Sequence, residues 1–197
     1  MKKLVVALAI LAFASSAQAG PISLVGDKDC FGLGGVCPDG TLWRDGLGGT
    51  FFSNYQTASD PFFTDKWSSD VSPTYTHAYA LGAAVSATLT IRTAGLADGR
   101  GPWNVFFNGV NVGQFATNTS PNAFQEVLTY PFVIPIGLLT GSDTVRLAIN
   151  TPNVTDGYSI DYSELAISTT SVPDPGSSLL LLSMGLVGLR AWRKRWS

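Results

Sequence analysis

Apolar and polar residues alternate in short runs between Ile22 and Ser168, and no long run repeats at the 3.6-residue period of a helix. Gly, Pro, Asn and Asp punctuate these runs, as they do between strands. Eight segments are predicted as strands: 22–25, 74–80, 85–93, 103–107, 110–115, 126–134, 143–150 and 158–168. In the second, Tyr75, His77 and Tyr79 share one face and Thr74, Thr76, Ala78 and Ala80 the other. Val85, Ala87, Leu89 and Ile91 are expected to point inward, as are Val145, Leu147 and Ile149. Val127, Thr129, Pro131 and Val133 share a face, and Pro131, which cannot donate to a ladder, predicts an edge strand. Asn108-Gly109 between two strands predicts a type I′ hairpin. Eight closely spaced strands without a helix predict an all-β fold, a β-sandwich of jelly-roll type.

Both ends break this pattern. Residues 1–19 have a basic start (Lys2, Lys3), an apolar run from Leu4 to Ala14, and Ala17-Gln18-Ala19 before Gly20. That is the layout of a secretory signal peptide, with cleavage expected between Ala19 and Gly20. The last 26 residues, 172–197, have three ordered parts. Pro173-Asp174-Pro175 is held extended, because proline restricts itself and its predecessor. Residues 177–189 carry no charge, a run of about 20 Å as helix. Arg190, Arg193, Lys194 and Arg195 close the chain, among Trp192 and Trp196. A hydrophobic helix over 178–192, with its basic end cytoplasmic, makes a marginal membrane span. The remaining 20–171 is long enough for one domain with one core.

Charge sharpens the division. The chain has 12 Lys and Arg against 14 Asp and Glu, so a net charge of −2. Half of the basic residues lie in the two end segments. The body keeps 6 basic and 13 acidic residues, so 6 − 13 = −7. An acidic, Lys-poor body argues against a nucleic-acid partner and suits polysaccharide or divalent cations. The only cysteines are Cys30 and Cys37. Export would place them in an oxidising compartment, where a disulfide closing so small a loop contributes about 2.5 kcal/mol. The alternative, half of a metal site, lacks further Cys or His to complete it, since His77 is the single histidine.

The tail resembles the PEP-CTERM sorting signal of Gram-negative bacteria: a Pro-bounded acidic motif, a short apolar helix and a basic end. The family's motif is Pro-Glu-Pro; Asp174 keeps the carboxylate on a shorter arm. The resemblance implies recognition by an exosortase, a membrane-embedded transpeptidase, and cutting near Pro173-Asp174-Pro175. It also implies an intermediate held in the inner membrane, before the protein reaches the cell surface or extracellular matrix. From Ala80 to Ser168 the ordered set Ala87-Thr-Leu-Thr-Ile, Trp103-Asn-Val-Phe-Phe-Asn-Gly-Val-Asn-Val-Gly, Phe132-Val-Ile-Pro-Ile-Gly-Leu-Leu-Thr-Gly-Ser-Asp-Thr-Val-Arg-Leu and Asp156-Gly-Tyr-Ser-Ile-Asp-Tyr-Ser-Glu-Leu-Ala-Ile is similar to galactose-binding-like and carbohydrate-binding jelly-roll modules.

Asp161 has the parity of Leu165 and Ile167, so it is expected to face the core, where a carboxylate must be paired or metal-bound. The resemblance to carbohydrate-binding modules implies a structural Ca²⁺ between the first and last strands, which carries over to Asp27, Asp29 and Asp161. The alternative for Asp161 is capping of loop amides or pairing with an arginine. No cofactor is otherwise implied. Asp60 and Asp65, among aromatics, have the composition of a glycosidase carboxylate pair. His77, mid-strand, reads as a packed or half-exposed structural histidine rather than a base or ligand. Trp43, Trp67, Trp103 and the Tyr75/Tyr79 face offer rings for stacking on sugars or for the core. No G-x-S-x-G, H-E-x-x-H or P-loop is present. The expected function is an exported, non-enzymatic surface or exopolysaccharide-matrix protein, glycan-binding or adhesive. The alternative is a secreted hydrolase acting on extracellular polysaccharide.

Overall fold

The computed structural model describes residues 17–32, 38–42, 61, 63–65, 68–96, 103–149 and 157–170. Eight strands follow in chain order: β1 (Ala17–Gly26), β2 (Thr74–Ala78), β3 (Ala84–Ala94), β4 (Trp103–Phe107), β5 (Val110–Gln114), β6 (Val127–Val133), β7 (Ser142–Ile149) and β8 (Ser159–Thr170). Each matches one of the eight predicted segments. Among the described residues the one helical element is a 3-10 turn, Ile136–Leu138, which forms the corner before β7. The expected helix at 178–192 lies outside the described residues. No helix among those described is long and apolar enough to cross a membrane.

The strands form two four-stranded sheets, ordered β1-β8-β3-β6 and β2-β7-β4-β5. Ladders β3–β6, β3–β8, β2–β7, β4–β5 and β4–β7 are all antiparallel. The chain crosses between sheets after β1, β2, β3, β5, β6 and β7, and stays within a sheet only at the β4–β5 hairpin. This interleaving is a jelly roll, and it brings the first and last strands side by side. Apart from Ala17, Gln18 and Thr170, the strand residues belong to a compact unit spanning Ala19–Thr169. A second unit, Met1–Gln18 with Thr170–Ser197, lies almost wholly outside the described residues.

Alternation explains the core. Leu89, Ile91, Leu165 and Ile167 of one sheet meet Tyr75, Val105, Phe107, Val145 and Leu147 of the other. Trp103 packs edge-on against Tyr158, with ring centroids 5.1 Å apart. Asn108 and Gly109 both have positive φ, 49° and 80°, as a type I′ turn requires. One expectation needs correction. Val85 is exposed rather than inward, because the register slips between Ala84 and Ser86. Of the two readings of the Tyr75 ring, sugar platform or core, the second holds: it is buried against Phe63 and His77. Trp103 is likewise core. Pro131 does lie on an edge strand, β6.

Candidate metal centre

Asp161 occupies a bulge. Along β3 and β8, Arg92 pairs with Tyr162 while Thr93 pairs with Ile160, so Asp161 is skipped. A bulge re-aims a side chain that the regular pleat would hold in line. The Asp161 carboxylate is 1% exposed and lies at the end of the sandwich where β1 gives way to its following loop.

That loop is shaped to meet it. Gly26 ends β1 at φ +80°, and a Cβ there would stand 2.4 Å from the Asp161 carbonyl oxygen. Glycine is therefore required for β1 to approach β8. Asp27 and Asp29 follow, both half-buried. Cys30 (φ 63°) and Phe31 (φ 54°) then adopt the left-handed conformation. Each costs about 1–2 kcal/mol in a residue with a side chain, and such strain gathers at ligand clamps. Two features hold the turn. The Phe31 side chain is buried with Cys30, Ala94 and Val127. The Phe31 N–H donates to Asp161 Oδ1 at 3.0 Å, and the Gly32 N–H to Asp29 Oδ1 at 2.7 Å.

A fourth carboxylate arrives from a distant segment. Thr64 bridges Ile160 in parallel, and the Asp65 N–H donates to the Ile160 carbonyl at 2.7 Å. This sets Asp65 beside Asp161, fully buried and with φ 50°. One oxygen each from Asp27, Asp29, Asp65 and Asp161 all lie within 4.8 Å of one another. Calcium binds oxygens at about 2.3–2.6 Å, so two ligands of one ion can stand up to about 5 Å apart. The spacing and the all-oxygen donor set fit such an ion.

Among the described residues the cation at this cluster is Arg92. Its Nε lies 3.6 Å from Asp161 Oδ2, and its Nη1 3.2 Å from Asp39 Oδ1. Nη1 also donates to Thr129 Oγ1 at 2.7 Å, and that hydroxyl donates to Asp39 at 2.8 Å. The Arg92 charge is thus shared with Asp39. Burial pushes the Asp161 carboxyl up to about 6, against the Phe31 N–H; Asp29 and Asp27 push the same way and Arg92 opposes them. An acid under that pressure is one that a divalent cation would relieve.

Asp27, Asp29 and Asp161, expected as ligands, are therefore brought together. The Asp161 alternatives of amide capping and an arginine partner are also realised, by Phe31 and Arg92. Asp65 joins them, and Asp60, its expected partner in a glycosidase pair, lies outside the described residues. Cys30 is buried and no cysteine among the described residues is free, while Cys37 lies outside them. Ala19 and Gly20 fall inside β1, and a Cβ on Gly20 would meet the Ile167 carbonyl oxygen at 2.5 Å. Pro173, Asp174, Pro175, Trp43 and Trp67 lie outside the described residues.

No family model and no curated protein matches the chain. Solved structures that it resembles include a β-porphyranase of glycoside hydrolase family 86 from Bacteroides plebeius, at 18% identity and a TM-score of 0.39 over 56% of this chain. The chain spans only 20% of that enzyme's length. It is also similar to the CBM36-1 domain of a multidomain xylanase from the hindgut metagenome of Trinervitermes trinervoides (19% identity, TM-score 0.34, 51% of this chain and 73% of that one). A family 35 carbohydrate-binding module from Clostridium thermocellum matches at 18% identity and a TM-score of 0.35, over 48% of this chain and 68% of that one. Likeness at that level carries no argument about this chain.

Two other buried polar sites differ in kind from the cluster. His77 is fully buried, with Nδ1 3.2 Å from Ser23 Oγ and Nε2 3.0 Å from Ser163 Oγ. It ties β2 in one sheet to β1 and β8 in the other. Burial lowers its pKa to about 4, although contacts with Ser23 and Asp143 oppose the shift. Asp143, also fully buried, accepts hydrogen bonds from the Tyr79 hydroxyl, Thr140 N–H (2.9 Å), Thr140 Oγ1 (2.5 Å) and Asn108 Nδ2 (2.8 Å). Burial favours its neutral form, but these donors win and hold its pKa below the ordinary value.

Proposed function

We propose that this protein is an exported, non-enzymatic β-sandwich that binds structural Ca²⁺ through Asp27, Asp29, Asp65 and Asp161, and works at the cell surface or in the exopolysaccharide matrix as a glycan-associated module. The observation that carries the reading is the convergence of four carboxylates from three separate segments to within 4.8 Å. Two of the four are buried, where like charges are most costly without a counter-ion. A bound Ca²⁺ would supply charge compensation and cross-link the segments. Extracellular modules operate with calcium affinities of about 10⁻⁴–10⁻³ M, in keeping with an exported chain.

The chain's own residues define the role of the site. Asp161 anchors it on β8, and Asp65 brings in the stretch that pairs with Ile160. Asp27 and Asp29 bring in the loop after β1, which the Cys30–Cys37 disulfide would close. Binding therefore tethers β1, the edge strand of its sheet. The signal peptide and the PEP-CTERM-like tail support the route: export, a hold in the inner membrane through 178–192, and processing near Pro173-Asp174-Pro175 by an exosortase-type transpeptidase.

Calorimetric titration with Ca²⁺ tests the ion. One site per chain is expected, lost in Asp161→Asn and in Asp65→Asn; no heat of binding at millimolar Ca²⁺ would overturn it. Mass analysis of the exported protein tests the route, which predicts loss of Arg193 to Ser197. A glycan array with the calcium-loaded protein tests the association, and turnover of any arrayed polysaccharide would favour a hydrolase instead.

A further inference from the structure

Lys28, Arg92 and Arg146 are the cations among the described residues, and they are not alike. Lys28 is paired with Glu164 and lies 5.0 Å over the Tyr162 ring. Arg92 is paired with Asp39 and Asp161. Arg146 makes no ion pair with any described carboxylate. Its guanidinium stacks on Phe106, with Cζ 4.0 Å from the ring centroid, and Nη1 reaches Ser72 Oγ at 3.5 Å.

The register shows what surrounds it. Arg146 on β7 pairs with Thr74 on β2 and with Phe106 on β4, and Phe106 pairs with Asn111 on β5. One row therefore crosses all four strands of this sheet, about 14 Å at strand spacing. In the next row Ala148 pairs with Asn104, which pairs with Gln114. The alternate positions Val145, Leu147, Val105 and Phe107 are fully buried, so these rows form the outer face. The acid of β7, Asp143, is also buried, its carboxylate held by Tyr79, Thr140 and Asn108. The described outer face thus carries hydroxyls, carboxamides, the methyls of Ala78 and Ala148, one aromatic ring and one cation.

We propose that this face binds a polysaccharide chain bearing an anionic group, a carboxylate or a sulfate ester, with Arg146 as the residue that selects it. This deepens the glycan-associated reading above and rests on it. A guanidinium stacked on an aromatic ring keeps its N–H fork in plane and pre-organised for two parallel bonds to an oxyanion. Phe106 fixes that plane. Asn111 Nδ2 donates to Asn104 Oδ1 at 3.4 Å and Asn111 Oδ1 accepts the Gly113 N–H at 2.9 Å, which leaves Gln114 and the second Asn111 N–H for sugar hydroxyls. The rest of the body is acidic and repels an anion at long range, so the selection lies in the contact itself.

The test is affinity of the full chain, saturated with Ca²⁺, for three short oligosaccharides of equal length: an oligogalacturonate, a sulfated oligomer and a neutral xylo-oligomer. The expected result is at least tenfold tighter binding of one anionic oligomer than of the neutral one, and whichever anion binds identifies the group. Arg146→Gln should weaken anionic binding at least tenfold at an unchanged melting temperature. Arg146→Lys should recover only part, because the planar fork is missing, and Phe106→Leu should weaken it severalfold. Equal affinity for the neutral and anionic oligomers, or an unaltered Arg146→Gln, would overturn the proposal while leaving glycan association intact. No binding of any oligomer would overturn both.

Discussion

Asp143 and Asp161 are the same residue type at almost the same burial, yet they sit in opposite surroundings. Asp143 is the second residue of β7 and is met by donors from Tyr79, Thr140 and Asn108. Nothing is left for an ion to do there. Asp161 sits on a bulge of β8 with three further carboxylates within reach and a guanidinium shared with Asp39. The donors at Asp143 outweigh its burial and lower its pKa, whereas burial and like charge raise that of Asp161. Burial of an acid is therefore no guide to its role. Its partners decide: a full set of donors makes a structural knot, and a set of fellow acids suits a cation.

The largest effect that would separate the two is at Gly26. Gly26→Ala forces a left-handed alanine against the Asp161 carbonyl and is expected to cost about 3 kcal/mol. It should also weaken Ca²⁺ binding. A denaturant titration with and without the ion checks both. Asp143→Asn should cost a similar amount, about 3 kcal/mol, by turning a donor toward donors. Its loss must be the same in Ca²⁺ and in chelator; a calcium-dependent loss would erase the contrast.

His77 gives the next effect. Its pKa falls from 6.5 unfolded to about 4 in the fold, so the unfolded chain takes up the proton first. Stability is complete above pH 6.5 and falls as pH drops toward 4, by about 3 kcal/mol at the end of the window. His77→Gln should flatten that slope in a pH series of urea melts. Asp143, with its lowered pKa, acts with the same sign at lower pH: its contribution is lost only as pH falls through its folded value. The smallest effect belongs to Gly109→Ala. That turn has φ +80° and open space around it, so only backbone strain, about 1 kcal/mol, is expected.

The two regions were also unequally legible in the sequence. The eight strands and the Asn108-Gly109 turn follow from alternation and punctuation, and each appears in the structure. Asp161 was visible because its parity with Leu165 and Ile167 put a charge where an apolar residue belongs. The bulge that aims it was not visible, since a bulge is a relation between two strands. Asp27 and Asp29 are suggested by the resemblance to carbohydrate-binding modules, which implies Ca²⁺ between the first and last strands of a jelly roll. Asp65 was missed as a ligand because its placement depends on a parallel bridge between Thr64 and Ile160, ninety-six positions apart in the chain. Nothing local announces such a pairing. The Asp143 knot was hidden for the same reason: Tyr79, Asn108 and Thr140 meet only after the sheets form. Val85 was misread because a register slip beside it cancels the alternation that governs Ala87, Leu89 and Ile91.

The central claim is that Asp27, Asp29, Asp65 and Asp161 hold one Ca²⁺. The most direct measurement is the melting temperature of the protein in saturating Ca²⁺ and in chelator, alongside Asp161→Asn and Asp143→Asn. At a hundredfold excess over Kd the ion adds about 2.7 kcal/mol, or about 5–10 °C for a domain of this size. That rise is expected in the parent chain and in Asp143→Asn, and is expected to be absent in Asp161→Asn. A parent chain that melts at the same temperature in Ca²⁺ and chelator, or an Asp161→Asn variant that keeps the full rise, would contradict the claim.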